Sequence, residues 1–575
     1  MTRRVAGGLS LLALAVPFTL AWLPPTTASA QSLAASRSAV LFLVDRISFE
    51  ELLSIPQVRG LAGVGGVGLL SSRTPLGELL DGADLAALPL RVVDLGSIEG
   101  PNRPDDLRQA GESIASTLEQ SLEGEQLAIV ATPTPSSAMR SVKDELTGII
   151  VARGPAADLA AATVRPPPDS EALTALTSDS TRRSGVVVST DVLPTIERFL
   201  GGGVPDAAVI VLDPAPAPLE LHERYLANRR MSVPVQTGAG IYLAVAGLFA
   251  VGALWSGKTG RLRRWAAWAA FSTIPLTTAL LLVGHVSPIA YVTVVPILIA
   301  ATFLGTIAFV RLERDRGPVA TLGMAGATVL ALFLLESALG WSAALTPFLG
   351  GSELDGGRFF GLPNAFIGLV MGASVYVAAT LARPLPGALA VGAAALFAGL
   401  PWTGSDLGGA IAIFAAAGLW FGIRMSGRLS LQAAAWSVAA AGFGTAVVLA
   451  AHRFLASTPT HITRFVEGES GGIVATAARR LEIGFDLIAR NPFALIPVLG
   501  VPICLLVVLR PPEVLRAAFA RRPVWRDAVL TILVGSAVAY LANDSGAAAL
   551  GLGFATGLVG ILYVSLVDPP GMMGS

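Results

Sequence analysis

Charge is scarce in this 575-residue sequence: 40 Lys and Arg and 40 Asp and Glu make up 14% of it, where ordinary globular proteins carry roughly a quarter. The two signs cancel to a formal net charge of zero. That balance argues against nucleic acid as a partner, which needs Lys and Arg clustered on one face. Cysteine is scarcer still. The single Cys504 excludes a disulfide within one chain, and its setting, Ile503-Cys504-Leu505-Leu506, reads as that of a small buried apolar residue. Histidine is limited to four residues, and only His222 precedes residue 234. No internal repeat is evident. What is abundant is hydrophobic: 53% of the residues, with a mean hydropathy of +0.67, which places the chain in the membrane class.

The N-terminus has the order of a signal peptide. Arg3 and Arg4 precede an apolar run from Leu9 to Trp22, and Ala28-Ser29-Ala30 before Gln31 fits the small-x-small cleavage pattern. Pro17, Pro24, Pro25 and the short apolar run weigh against an uncleaved anchor helix. Residues 1–30 are therefore expected to be removed and residues 31–234 to be delivered outside the cytoplasmic membrane.

Segment 31–234 alternates strand-like and helical runs, which predicts an α/β domain with a mainly parallel sheet. Val40 to Val44 is a buried strand ending at Asp45, and Val67-Gly68-Leu69-Leu70, Arg91 to Leu95, Ala128 to Ala131, Gly148 to Val151 and Gly185 to Val188 repeat the pattern. Arg103 to Leu122 has surface-helix periodicity.

From residue 235 to 568 the apolar runs reach about 20 residues, enough to span a bilayer. Eleven candidate spans are 239–256, 266–284, 289–310, 319–340, 364–382, 386–402, 406–423, 430–451, 493–509, 527–542 and 547–566. With segment 31–234 outside, Lys258, Arg261, Arg263, Arg264, Arg311, Arg314, Arg316, Arg383, Arg424, Arg428, Arg510, Arg516, Arg521, Arg522 and Arg526 all fall in cytoplasmic loops. The short outer loops hold only Arg358. Charge bias and signal peptide thus give one orientation, with residues 569–575 as a cytoplasmic tail in a bacterial cytoplasmic membrane. The longest outer loop, 452–492, includes a stretch in which Leu481, Phe485 and Ile488 share one helical face, as in a helix lying on the membrane surface.

Polar residues unusual for a bundle gather at the outer ends of the spans. Gly357 to Asn364 enters one span, Thr403 to Gly409 another and Asn543 to Gly546 the last, with His461 to Arg464 in the long loop. Helix capping explains each residue taken singly. A polar cavity lined jointly by Arg358, Asn364, Asp406, His461 and Asp544 would explain the set.

Several of these motifs resemble known families. The strand ending at Asp45, the stretch Gly65 to Thr74 and "GVVVSTDVLPTIERFLG" (Gly185 to Gly201) resemble the alkaline phosphatase superfamily. The resemblance implies a metal-binding Asp at the first strand end and, in active members, two metals beside a Ser or Thr nucleophile. Here Ala131-Thr132-Pro133-Thr134-Pro135 stands where that superfamily has an Asp-His motif. Only Asp45 has a counterpart among its ligands, and Ser72 or Thr74 is the nearest to its nucleophile. The expected domain is a degenerate relative without metal or other cofactor, in which Asp45 binds local backbone amides, because a lone carboxylate makes a poor metal site.

In the bundle, "RFFGLPNAFIG" (Arg358 to Gly368) resembles an element of the O-antigen ligase and polymerase family, and "GSDLGGAIAIF" (Gly404 to Phe414) is similar to the Asp-bearing element of the SEDS peptidoglycan polymerases. The layout as a whole resembles a family of uncharacterised bacterial membrane proteins. These resemblances imply glycan transfer from a lipid-linked carrier. Arg358 or Arg464 would neutralise the leaving pyrophosphate and Asp406 or His461 would take the acceptor proton, with Asn364 and Asp544 binding substrate. The partners implied are membrane lipids, a lipid-linked glycan and envelope proteins. Three other readings stand beside this one: a transporter or flippase, a non-enzymatic envelope scaffold, and a phosphatase or phosphodiesterase, which the missing ligands disfavour.

Overall fold

The computed structural model describes residues 37–71, 88–98, 103–120, 124–132, 147–164, 173–178, 180–181, 185–201, 209–213, 218–256, 260–283, 291–339, 361–381, 383–455, 495–543 and 546–567. Residues 1–30, expected to be a signal peptide, as well as Ser72, Thr74, most of the expected long loop and residues 569–575, lie outside the described residues.

The N-terminal region is a sheet domain. Its strands are β1 (Arg37–Asp45), β2 (Gly66–Ser71), β3 (Leu90–Ser97), β4 (Glu125–Ala131), β5 (Thr147–Pro155), β6 (Ala175–Ser178), β7 (Val186–Val188) and β8 (Ile210–Asp213). The spatial order is β3-β1-β4-β5-β2-β6-β8, with β7 also paired to β2. Both faces are covered, as alternation along the strands shows. Val40, Phe42, Val44, Ala128, Val130 and Ile150 enter one core with helices α1 (Phe49–Ser54), α2 (Pro56–Val64), α3 (Arg103–Glu119) and α4 (Ala156–Val164). Ala39, Leu41, Leu127, Ile129 and Ile149 enter the other, under α5 (Val192–Phe199). This period of two is what a strand with both faces buried requires.

The expectation of a mainly parallel sheet needs correction, because the sheet is mixed. β1 runs parallel to β3 and β4, and β2 parallel to β6 and β7, but β5 is antiparallel to both of its neighbours and β8 is antiparallel to β6. β5 follows β4 in the chain and lies beside it. A turn suffices for such a pair, whereas parallel pairing needs a crossover.

At the ends of β1 and β3 one ion pair ties four elements together. Ser48 and Glu51 form a capping box on α1, and Arg103 at the start of α3 donates to both Glu51 carboxylate oxygens, each at 2.6 Å. Arg103 also donates to the carbonyls of Ile98 (2.7 Å) and Arg46 (3.2 Å). Bonding to Arg103 holds the Glu51 carboxyl below its usual range, against the opposing effect of partial burial. A carboxyl depressed in the folded state contributes stability above the ordinary glutamate range and loses it as pH falls through the folded value. Glu51→Gln is therefore expected to cost about 1–2 kcal/mol at pH 7. In thermal unfolding at several pH values, the gap to the unmodified protein should close toward pH 3; a gap independent of pH would refute the assignment.

The second region is helical: α6 (Pro218–Trp255), α7 (Arg261–Phe271), α8 (Thr273–Val283), α9 (Tyr291–Leu339), α10 (Ile367–Thr380), α11 (Pro384–Gly399), α12 (Leu407–Ser426), α13 (Leu431–Phe454), α14 (Leu495–Leu509), α15 (Glu513–Arg521), α16 (Pro523–Ala542) and α17 (Gly546–Val567). Every one of the eleven expected spans falls on helix. Seven helices are long and apolar enough to cross a membrane, or eight if α14 and α15, bent by 70°, make one span. The difference from eleven has three sources. Asn364–Thr380 and Pro384–Gly399 are apolar but shorter, and α9 counts once in that total although it is two helices meeting at a kink at Gly317 (φ 79°, ψ 169°) before Pro318, one for each of the two expected spans. The residue before a proline is pushed out of the helical region, so the break falls where that rule places it.

The helices expose apolar surface that water would not tolerate. Leu248, Phe303, Leu304, Val438 and Phe443 are each more than 60% exposed, as expected of side chains facing lipid. α10, α12, α16 and α17 form the interior, whose fully buried large side chains include Trp420, Trp525 and Tyr376.

Candidate functional site

The site begins at the end of α11, where a helix leaves its last carbonyls without intrahelical partners. Each of them finds one. Phe397 O accepts from Gly404 N (2.8 Å) and from Thr403 Oγ1 (2.6 Å), Ala398 O from Asp406 N (2.8 Å), and Leu400 O from the amides of Thr403 (3.2 Å) and Ser405 (3.0 Å). Gly399 O is 2.9 Å from His452 Nε2. A carbonyl only accepts, so the His452 ring carries its proton on Nε2.

The loop so folded delivers Asp406 to the start of α12. Asp406 is 1% exposed and is the N-cap, its Oδ1 accepting from Gly409 N at 2.9 Å. Its Oδ2 lies 3.5 Å from Asn543 Nδ2, at the end of α16. The residue before it, Ser405, is fully buried with φ 51°, a left-handed conformation that few non-glycine residues adopt. The Ser405 hydroxyl has no hydrogen-bond partner among the described residues.

A second loop docks on the first. Leu362 N donates to Gly404 O at 3.0 Å. Gly361 precedes it with φ 83°, and a Cβ there would stand 2.2 Å from that same carbonyl oxygen, so both conformation and contact require glycine. Asn364 then opens a short 3-10 turn (Asn364–Phe366) that leads into α10. Its Oδ1 is buried without a hydrogen-bond partner among the described residues.

Of the six residues singled out in the sequence, Asn364 and Asp406 thus come to one junction of loops. Arg358, His461, Arg464 and Asp544 lie outside the described residues. Three further residues belong to the junction. His452 was assigned to the outer loop, but α13 continues to Phe454 and buries it. Asn543 and Ser405 lie in polar stretches visible in the sequence, but nothing there sets Asn543 apart from its charged neighbour Asp544 or marks the left-handed backbone of Ser405.

In the sheet domain, Asp45 ends β1 opposite Ser97 of β3 and its carbonyl accepts from Ile98 N (3.1 Å). No group of three or more His, Cys, Asp or Glu that could hold a metal occurs among the described residues. Asp191 lies in the segment resembling the phosphatases. It precedes α5 but makes no side-chain cap; its carboxylate accepts instead from Ser180 Oγ (2.8 Å) and, more weakly, from Ser180 N (3.3 Å). His222 falls on α6, which runs from Pro218 into the first apolar span.

Comparison with family models, curated proteins and solved structures finds no match to this chain in any of the three.

Proposed function

We propose that this chain is a multi-pass protein of the bacterial envelope that transfers a glycan from a lipid-pyrophosphate carrier at the outer rim of its helical bundle. One observation carries the reading. Two loops and a helix end meet around half-buried Asn364 and buried Ser405, Asp406 and Asn543, leaving two buried polar atoms unpartnered among the described residues and one non-glycine residue left-handed. Such costs concentrate at functional sites.

The geometry refines the division of labour. Asp406 is sequestered and holds the α12 amide, which suits a positioning residue rather than a proton acceptor that must reach substrate. Proton acceptance then falls to His461. The acceptor hydroxyl attacks the anomeric carbon, the bond to pyrophosphate breaks, His461 takes the hydroxyl proton, and Arg358 and Arg464 neutralise the departing pyrophosphate. The sheet domain serves as a metal-free binding module.

The test is transfer from a lipid-linked donor in proteoliposomes holding the full chain. Arg358→Ala and His461→Ala should each slow transfer by about 100-fold or more, with unspent donor accumulating. Asp406→Asn, which keeps the shape of the cap, should retain more activity than either. Unchanged transfer in Arg358→Ala and His461→Ala would overturn the reading.

A further inference from the structure

A second polar site lies away from the rim, where the start of α7, the broken middle of α9 and the end of α17 meet. They enclose a cavity of about 240 Å³, room for several water-sized groups. Arg263, Arg264 and Arg314 line it with Glu313, Trp268 and Leu566. Three cations therefore face one carboxylate, and that carboxylate is engaged: Glu313 Oε2 accepts from Tyr563 OH at 2.7 Å.

None of the three guanidiniums has a carboxylate within ion-pair distance among the described residues. Arg263 is 6% exposed and donates to the carbonyls of Leu566 (3.1 Å) and Ser565 (2.5 Å), which fixes its plane at the negative end of α17. Those acceptors are neutral, so its charge stays uncompensated. Trp268 adds a buried Nε1–H with no acceptor among the described residues. A built cavity with excess positive charge and a spare buried donor calls for an anion rich in acceptor oxygens.

The surroundings say what that anion is attached to. Beside the cavity on α7, Trp265 is 64% and Leu262 41% exposed, the placing of an aromatic belt at headgroup level. α15, bent 70° from α14, buries Leu515, Ala518 and Phe519 and leaves its arginines outward, as a helix lying in the interface does. We propose that the cavity binds the phosphate of an anionic phospholipid, whose acyl chains run along the exposed apolar surface beside it. Arg264 and Arg314 contact the phosphate oxygens, Arg263 supplies fixed charge beneath, and Trp268 donates the remaining hydrogen bond. The proposal does not depend on what the outer rim does.

The test uses the full chain in detergent, titrated with phosphatidylglycerol or phosphatidylcholine, the bound lipid being counted by native mass spectrometry. Arg264 and Arg314 are exposed and the double variant R264A/R314A should fold. The control R311A/R316A removes the same charge from exposed positions of α9 that do not line the cavity. Phosphatidylglycerol should bind at least tenfold tighter than phosphatidylcholine. R264A/R314A should lose that preference, while R311A/R316A changes affinity less than twofold. Equal losses in both variants would reduce the effect to diffuse surface charge and overturn the site. Displacement of the lipid by inorganic phosphate at matching concentration would identify free phosphate as the ligand and overturn the lipid assignment.

Discussion

Replacing Asp527 by alanine is expected to destabilise the helical bundle by about 3 kcal/mol, because it leaves the half-buried Arg424 cation without its carboxylate. Asp527 lies in the second turn of α16 and is 5% exposed; its Oδ2 is 3.2 Å from Arg424 Nη1 in the last turn of α12. Each charge sits toward the helix end whose dipole favours it. Arg424 also stands 5.9 Å from the Trp420 ring centre, and its Nε is buried without a partner among the described residues. Among the described residues this carboxylate is the only one paired with the guanidinium. Arg424→Ala should cost a similar amount by stranding Asp527 instead. The double replacement R424M/D527L should recover most of either loss, since a well-packed apolar pair of similar volume commonly equals a buried ion pair. A double-mutant cycle read by unfolding in detergent decides the matter: additive single effects would show that the two side chains do not act as a unit. The Glu51–Arg103 pair of the sheet domain, about a third exposed, has a smaller expected effect because water compensates part of its loss.

Some of this architecture can be read from the sequence and some cannot, for identifiable reasons. Apolar runs of spanning length mark helices whatever their neighbours, so every expected span falls on helix. The number of helices that meet a spanning length is harder, because Asn364–Thr380 and Pro384–Gly399 lie in apolar runs of spanning length but are themselves shorter. In the sheet domain the strands are legible from continuous apolar runs, but their direction is not. β5 is buried on both faces like a parallel strand, and Ile149, Ile150 and Val151 would look the same in either direction. At the rim, Asp406 is recognisable as a cap from Gly-Ser-Asp before an apolar run. Its partner Asn543 depends on how α16 and α12 pack, and His452 on where α13 ends. Those are facts of tertiary structure that local sequence does not encode.

The rim rides on a helix crossing that a single side chain should disrupt. α10 meets α17 at Gly368, where a Cβ would lie 2.1 Å from Ala549 O, 2.4 Å from Gly553 N and 2.9 Å from Gly553 Cα. These are backbone atoms of a neighbouring helix, so no rotamer change can relieve the contact and the helices must separate. One turn on, a Cβ at Gly372 would meet Thr556 Cγ2 at 2.5 Å, which makes a small-residue seam of the kind that lets membrane helices approach closely. Gly368→Ala is expected to cost about 1–3 kcal/mol by overpacking, and Gly368→Leu more. Gly442 on α13 supplies the control, as it is exposed and a Cβ there meets nothing within 4 Å; Gly442→Ala should unfold like the unmodified protein. Native-like stability of Gly368→Leu in detergent would show that α10 and α17 do not meet as described. The consequence reaches the candidate site, because Asn364 lies only four residues before Gly368 and a Cβ on Gly409, in the first turn of α12, would meet Ile367 Cδ1 at 2.2 Å. Moving α10 away from α17 therefore pulls the Asn364 turn off the Asp406 loop. The transfer proposed for the rim should fall in step with stability along the Gly368 series, although Gly368 is not one of the residues proposed to act in it.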